Sequence, residues 1–322
     1  MRTFLSIKFG PCNSVGTSNM RGFVAYLCWI AFVIHAVSGC SSKETEDHSL
    51  PAITDLNNLN SNPIDTLQQH PDIADVKRYG SDEQPLHRII HIADWHYVDR
   101  EDYAADLRSL SDEPISDEDI DRRFAELLGE VDRVQVQQMA VLRWLIKHFG
   151  LKQVHLEGLT KPDQLIFNAK VEGLRVVGKE LSDLRQEHRE LFADSEPDVP
   201  TRRIIDGIQK LEKQYHRDIL QLGAAGRLVL SGELEGVLPL EDEKAHQAAR
   251  PIAEDGTVSF DQEKIEDRED SQARLLLNGG HLSIIILGGA HDLSDNLDRL
   301  SDGKAEYIRV EVKEWRKVTS QN

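Results

Sequence analysis

The sequence predicts an α/β domain: a central, mostly parallel sheet flanked by helices, with a long antiparallel helical hairpin inserted as a cap. Three observations carry this. Ile284, Ile285, Ile286 and Leu287 form an unbroken apolar run, the pattern of a strand buried on both faces. Residues 88–93 repeat that pattern upstream, and a helix-spaced stretch separates them from another short strand at residues 153–157. Strand, helix, strand in that order is a βαβ unit with parallel strands and a right-handed crossover. Finally, residues 174–191 and 204–222 each space their apolar side chains by three and four, as helices packed along a common seam do.

Taken in order, residues 23–37 are apolar, preceded by Arg21 and followed by small residues. That is a secretory signal arrangement, and the run is short for a membrane span. Val37, Ser38, Gly39 and Cys40 resemble the bacterial lipobox, which is cleaved before the cysteine and lipidated on it. Residues 1–39 are then a lipoprotein signal peptide and Cys40 is the lipidation site. The alternative is an uncleaved anchor in which Cys40 is incidental. The stretch before Met20 is long for the charged start of a signal, which makes Met20 a second candidate initiator. Ser41, not Asp, follows the cysteine; by analogy with lipoprotein sorting, the lipid anchor would hold the protein on the periplasmic side of an outer membrane or at the cell surface. Residues 40–84 are rich in Ser, Asn, Asp, Glu and Pro without a sustained apolar period. They read as a flexible tether, leaving residues 85–322 as the folded domain.

Within it, residues 88–93 make a strand and residues 97–119 a polar, acidic loop. A helix from about residue 130 to 149 lines up Met139, Leu142, Ile146 and Phe149, and Gly150 ends it. The strand 153–157 follows, then the hairpin over about residues 165–222. Leu174, Val177, Leu181 and Leu184 face Ile204, Ile208, Leu211 and Tyr215 across its seam, with His188 a tolerated polar residue at one end. Residues 227–230 suit a strand and residues 238–242 a loop. Asp261 caps a helix running to about residue 278, stopped by Gly279 and Gly280. The strand 284–287 stops at Gly288 and Gly289, where the missing Cβ permits a sharp turn. Asp292 then stands where a further helix can be capped. Ile308, Val310 and Val312 alternate in the last strand, which suits a sheet edge with one solvated face.

Composition narrows the function. Of 322 residues, 39% are hydrophobic and 29% charged, as in a globular protein with a polar surface. A formal net charge of -18 argues against nucleic acid as a partner, because phosphate needs clustered Lys and Arg. The cysteines, Cys12, Cys28 and Cys40, all precede the domain, so it holds neither a disulfide framework nor a thiolate metal site. The sequence contains no P-loop, no G-x-S-x-G nucleophile elbow and no His-Glu-x-x-His.

What remains is a set of polar residues just beyond strand ends: His96, Glu157 and His291. The carboxyl edge of an open α/β sheet is where ligands collect. Two imidazoles and a carboxylate suit a divalent metal with open positions for water or substrate. Without a metal, the same groups serve as general acid and base. Asp94, Asp99, Asp292 and Asp295 flank the histidines, and Asp94 and Asp292 are candidates to orient them. Arg268, on the inward stripe of the helix after Asp261, needs a carboxylate partner such as Glu157 or Asp94, or else an anionic group of a substrate. Trp95 and Tyr97 bracket His96 as a ligand wall or as packing. His91 and His155, inside strands, read as buried packing residues.

This order of motifs resembles the Tiki/TraB superfamily, whose relatives include ChaN-type haem-binding lipoproteins and the erythromycin esterases. Gly288, Gly289, Ala290 and His291 match its second G-x-x-H motif, and Val154 to Glu157 its glutamate strand. Arg268, within Asp267-Arg268-Glu269-Asp270, matches the arginine on the helix before that motif. Ala93 to His96 matches the first motif except that alanine replaces glycine. The resemblance runs by motif order from about Ile89 to Leu297. It implies a pseudo-symmetric α/β fold with the histidines and the glutamate at its centre. It leaves the reaction open, since Tiki members are metal-dependent peptidases, the esterases open lactone rings, and ChaN members bind haem. The leading expectation is a membrane-anchored extracytoplasmic hydrolase of peptidase or esterase type acting on a peptide or small-molecule substrate. His96, Glu157, His291 and Arg268 are its catalytic residues, and the first three its ligands if a divalent metal is used. The alternative is a ChaN-like protein that carries haem or another ligand without hydrolysis. A third is an interaction lipoprotein working through its hairpin. Oligomeric state is not encoded in any feature above.

Overall fold

The computed structural model describes residues 66–80, 85–111, 113–192, 198–249 and 261–321. The signal segment and Cys40 therefore lie outside the described residues, as does most of the stretch read as a tether. In chain order the elements are β1 (Ile73–Gly80), β2 (His87–Asp94), α1 (Arg100–Leu110), α2 (Asp117–Phe149), β3 (Gln153–Leu156) and α3 (Lys161–Glu187). There follow α4 (Val199–Leu220), α5 (Gly223–Leu230), β4 (Gly236–Pro239), α6 (Glu243–Ala248), α7 (Gln262–Asn278), β5 (Leu282–Gly288), α8 (Ser294–Ser301), β6 (Ala305–Val312) and α9 (Lys313–Gln321).

The strands form a six-stranded sheet in the order β1-β6-β2-β5-β3-β4. Every neighbouring pair is parallel except β1 with β6, which is antiparallel. Parallel strands need cover on both faces, and each face has its own core. On one, Ile90, Ile92, Val154, Ile284, Ile286 and Val310 pack with residues of α2, α5 and α9. On the other, Ile89, Ile285, Leu287 and Tyr307 pack with Ala273 and Leu276 of α7 and Leu293 and Leu297 around α8. The unbroken apolar run in β5 follows directly, since successive side chains enter opposite cores.

Several sequence readings are corrected. The folded part begins before Pro85, because β1 lies inside the stretch read as tether. That strand is polar because it is an edge, and it pairs by charge: Lys77 meets Glu311 at 3.5 Å, and Arg78 holds Glu306. The last strand, β6, is consequently interior, with all eight residues buried. The acidic loop after β2 contains α1, and α2 begins at Asp117, where Ser116 accepts the Asp119 amide as an N-cap. Residues 227–230 are helical, in α5, and β4 runs from Gly236 into the first two residues, Leu238 and Pro239, of the stretch read as a loop.

The helical hairpin is present and antiparallel. Lys170 meets Gln221 at 2.6 Å near one end, and Arg185 meets Glu212 at 2.6 Å towards the other. Between them Tyr215 fills the space left by Gly178, where an added Cβ would lie 2.1 Å from the phenol oxygen. Ile208 and Leu181 are buried on the seam, but Ile204 and Leu211 stay 45% and 52% exposed. His188 caps the end of α3.

Candidate functional site

Strands β2, β5 and β3 are neighbours in the sheet, although their carboxyl ends are far apart in the chain. That adjacency brings His96, His291 and Glu157 together. Glu157 follows β3 directly, and its backbone N–H donates to the Ile286 carbonyl at 3.1 Å. Its side chain is 3% exposed. One carboxylate oxygen, Oε2, stands 3.2 Å from His96 Nε2 and accepts the Gly288 amide at 2.5 Å. The other, Oε1, stands 3.2 Å from His291 Nε2 and 3.0 Å from Arg268 Nη2.

Each imidazole has a second carboxylate at its other nitrogen. His96 Nδ1 lies 2.9 Å from Asp94 Oδ2, and Asp94 Oδ1 accepts the Gln138 side-chain amide at 2.8 Å. His291 Nδ1 lies 2.8 Å from Glu269 Oε1. The chain of contacts therefore runs carboxylate, imidazole, carboxylate, imidazole, carboxylate. Glu269 takes the place expected of Asp292, which instead accepts the Ser294 amide at 3.0 Å where α8 begins. Glu269 shares the inward stripe of α7 with Gln272, Ala273 and Leu276. An acid on an otherwise buried stripe was the legible signal for it.

Arg268 reaches the site but is held by carboxylates on both sides. Its Nε donates to Glu241 Oε2 at 3.0 Å, and Nη2 bridges Glu241 Oε1 at 2.5 Å and Glu157 Oε1. Glu241 is enclosed, and also accepts the Gly158 amide and the Gln272 side chain at 3.1 and 3.0 Å. Arg268 is thus placed to orient Glu157, rather than aimed at a substrate. Sequence alone places Glu241 only within a loop, because the partners that enclose it come from α7 and the turn after β3.

Electrostatics follow from this packing. Burial opposes charge on His96, but the Glu157 charge and the hydrogen bonds to Asp94 and Glu157 outweigh it and lift the imidazole to about 10. His291 is likewise penalised by burial and then raised to about 9 by Glu157 and Glu269, with the Arg268 charge pulling the other way. For Glu157, burial favours the neutral acid, but both histidines hold the carboxyl well below its usual range. Through neutral pH the site is a carboxylate between imidazolium rings. Their side chains remain 21% and 22% exposed, so solvent reaches both.

The two histidines read as buried packing residues, His91 and His155, are buried. His91 is fully buried between the Tyr307 hydroxyl at 2.5 Å and the Leu287 carbonyl at 2.9 Å, and burial pushes it down to about 4. His155 meets the Pro239 carbonyl at 2.9 Å. Trp95 packs against the core beside β2.

Gly288 lies under the cluster. A Cβ there would stand 2.6 Å from His96 Nε2, 3.1 Å from Glu157 Oε2 and 3.4 Å from His291 Cδ2. At Gly289 it would stand 2.1 Å from the Trp315 ring. Neither glycine has positive φ. The pair is there for close approach and not for the sharp turn read from sequence.

Comparison with protein-family models, with curated proteins and with solved structures returns no match. The site must therefore be interpreted from its own geometry. For a divalent metal, both Nε2 atoms would have to turn from Glu157 to the ion, and the Arg268 guanidinium would sit beside it on the same carboxylate. Like charge so close disfavours a second cation. Among the described residues no group of three His, Cys, Asp or Glu side chains is placed to hold a metal. No helix among the described residues is long and apolar enough to cross a membrane.

Proposed function

We propose that the protein is an extracytoplasmic hydrolase, tethered by a lipid on Cys40, that cleaves peptide, ester or lactone carbonyl substrates by proton transfer between histidines. The observation that carries the reading is the single buried Glu157 carboxylate, which meets His96 and His291 Nε2 at 3.2 Å each. The Tiki/TraB-like order of motifs is consistent with it.

Hydrolysis needs one group to take a proton from water and another to give one to the leaving atom. A pair of imidazoles in different protonation states provides both. Both rings are imidazolium at neutral pH; the Arg268 charge lowers the proton affinity of His291, so His291 gives up its proton first, as pH rises towards about 9, and acts as the base in that form. Water attacks the carbonyl carbon as His291 Nε2 takes its proton. His96, still an imidazolium, hands its own proton to the departing oxygen or nitrogen. One proton enters the pair and one leaves, and exchange with solvent restores the start. Asp94 and Glu269 hold the rings in orientation and stabilise their charged forms, as a buried carboxylate does for a catalytic histidine. Arg268 orients Glu157.

The test is turnover of a panel of peptide, ester and lactone substrates by the intact protein and by His96→Ala and His291→Ala. Each variant should lose at least about 100-fold in rate. Full turnover in both would end this reading. Elemental analysis and haem titration of the same samples separate the other outcomes: a stoichiometric metal lost with either histidine, or a Soret band, would point to the metal-dependent or haem-binding alternatives.

A further inference from the structure

The loops that carry His96 and His291 are fastened by one corner of the fold, the end of β6 and the start of α9. Arg309, 9% exposed, donates through Nη1 to the His291 carbonyl at 2.8 Å and through Nη2 to the Gly289 carbonyl. Trp315, also 9% exposed, donates from its indole nitrogen to the Asp94 carbonyl at 3.0 Å. The same carbonyl accepts the Gly289 amide at 3.2 Å, which ties one loop to the other. The guanidinium lies over the Trp315 ring, 5.7 Å from its centroid. Its Nε is held by Glu311 at 3.3 Å, and Glu311 is itself bound by Lys77 of β1 and by Arg316.

We propose that Arg309 and Trp315 are positioning residues that set the separation of His96 and His291. The residue types fit that task. The carbonyls of Gly289 and His291 lie beyond the strand, where no ladder partner serves them. A planar fork can satisfy both at once, whereas a lysine ammonium is a single point charge. Gly289 accommodates the indole only because it lacks a Cβ. The corner therefore grips each histidine loop by its backbone, from strands and a helix that carry no reacting group. An edge strand outside the expected domain, β1, braces it through Lys77.

This inference rests on the proton-transfer reading for its catalytic consequence, but its physical content can be measured alone. Histidines labelled with nitrogen-15 report ring N–H signals at a fixed pH, assigned by their loss in His96→Ala and His291→Ala. His155, buried on β3 against the Pro239 carbonyl and paired with β4 and β5 but not with β6, is the internal control. In Arg309→Lys, protection of the His291 ring N–H from exchange should fall about tenfold, with His155 unchanged. In Trp315→Phe the same should happen at His96. Wild-type signals at both rings would overturn the proposal, and so would an equal change at His155, which would mean general loosening. If the ring signals respond as stated while His96→Ala and His291→Ala leave hydrolysis intact, the clamp stands and the catalytic reading falls. If a substrate is known, Arg309→Lys should reduce kcat more than it changes KM.

Discussion

Gly288 passes so close beneath His96 that a single methyl would come within 2.6 Å of the ring nitrogen facing Glu157. The first prediction follows. Gly288→Ala pushes His96 off Glu157 and intrudes on the carboxylate oxygen that accepts the Gly288 amide. Overpacking of this kind costs about 1–3 kcal/mol, while misplacing a catalytic group by an ångström costs on the order of 100-fold in rate. Thermal unfolding and kcat/KM measured together should show modest destabilisation and a large loss of turnover. Unimpaired turnover would contradict the contact.

Glu269 and Asp292 are a matched comparison. Both are acids near His291, but only Glu269 touches its ring. Glu269→Gln should lower the proton affinity of His291, seen by titration of its ring signals, and depress hydrolysis. Asp292→Asn should leave His291 alone and cost at most about 0.5–1.5 kcal/mol through the turn it closes. Equal effects from the two would mean that Glu269 does not orient the ring.

The site also predicts how stability varies with pH. His96 and His291 bind protons more tightly folded, at about 10 and about 9, than at the ordinary histidine value of 6.5. Their contribution is full below about 6.5 and is lost as pH rises through about 9 to 10. Glu241 behaves oppositely. Burial favours its neutral form, but His246 and Arg268 hold it at about 2 against an ordinary 4.5. Its contribution is present above about 4.5 and is lost as pH falls towards about 2. The melting temperature should therefore decline on both sides of mildly acidic pH. In His96→Ala the alkaline decline should be shallower; an unchanged slope would rule out His96 as its source.

A chain beginning at Pro85 lacks β1. It would leave the β6 ladder unpaired and Glu306 and Glu311 without Arg78 and Lys77. An open edge invites pairing between molecules. Size-exclusion chromatography should show aggregation, or scanning calorimetry a lower melting temperature, relative to a chain beginning at residue 64. Identical behaviour would mean that β1 does not brace the sheet.

Apolar order along the chain was enough to reveal the parallel strands, their helices and the hairpin, because side chains entering a two-faced core must be apolar at local, periodic spacing. Polar residues just past those strand ends marked His96, Glu157 and His291 for the same reason: an interior run that stops at an imidazole or carboxylate places it on the sheet rim. Strand order was not local. Only the fold made β2, β5 and β3 neighbours, put Glu269 rather than Asp292 on His291, and turned Arg268 towards carboxylates. It also drew a polar strand from the presumed tether to cover β6. Each of these depends on charges and hydrogen bonds between residues more than twenty positions apart, and such pairings leave no period in a sequence.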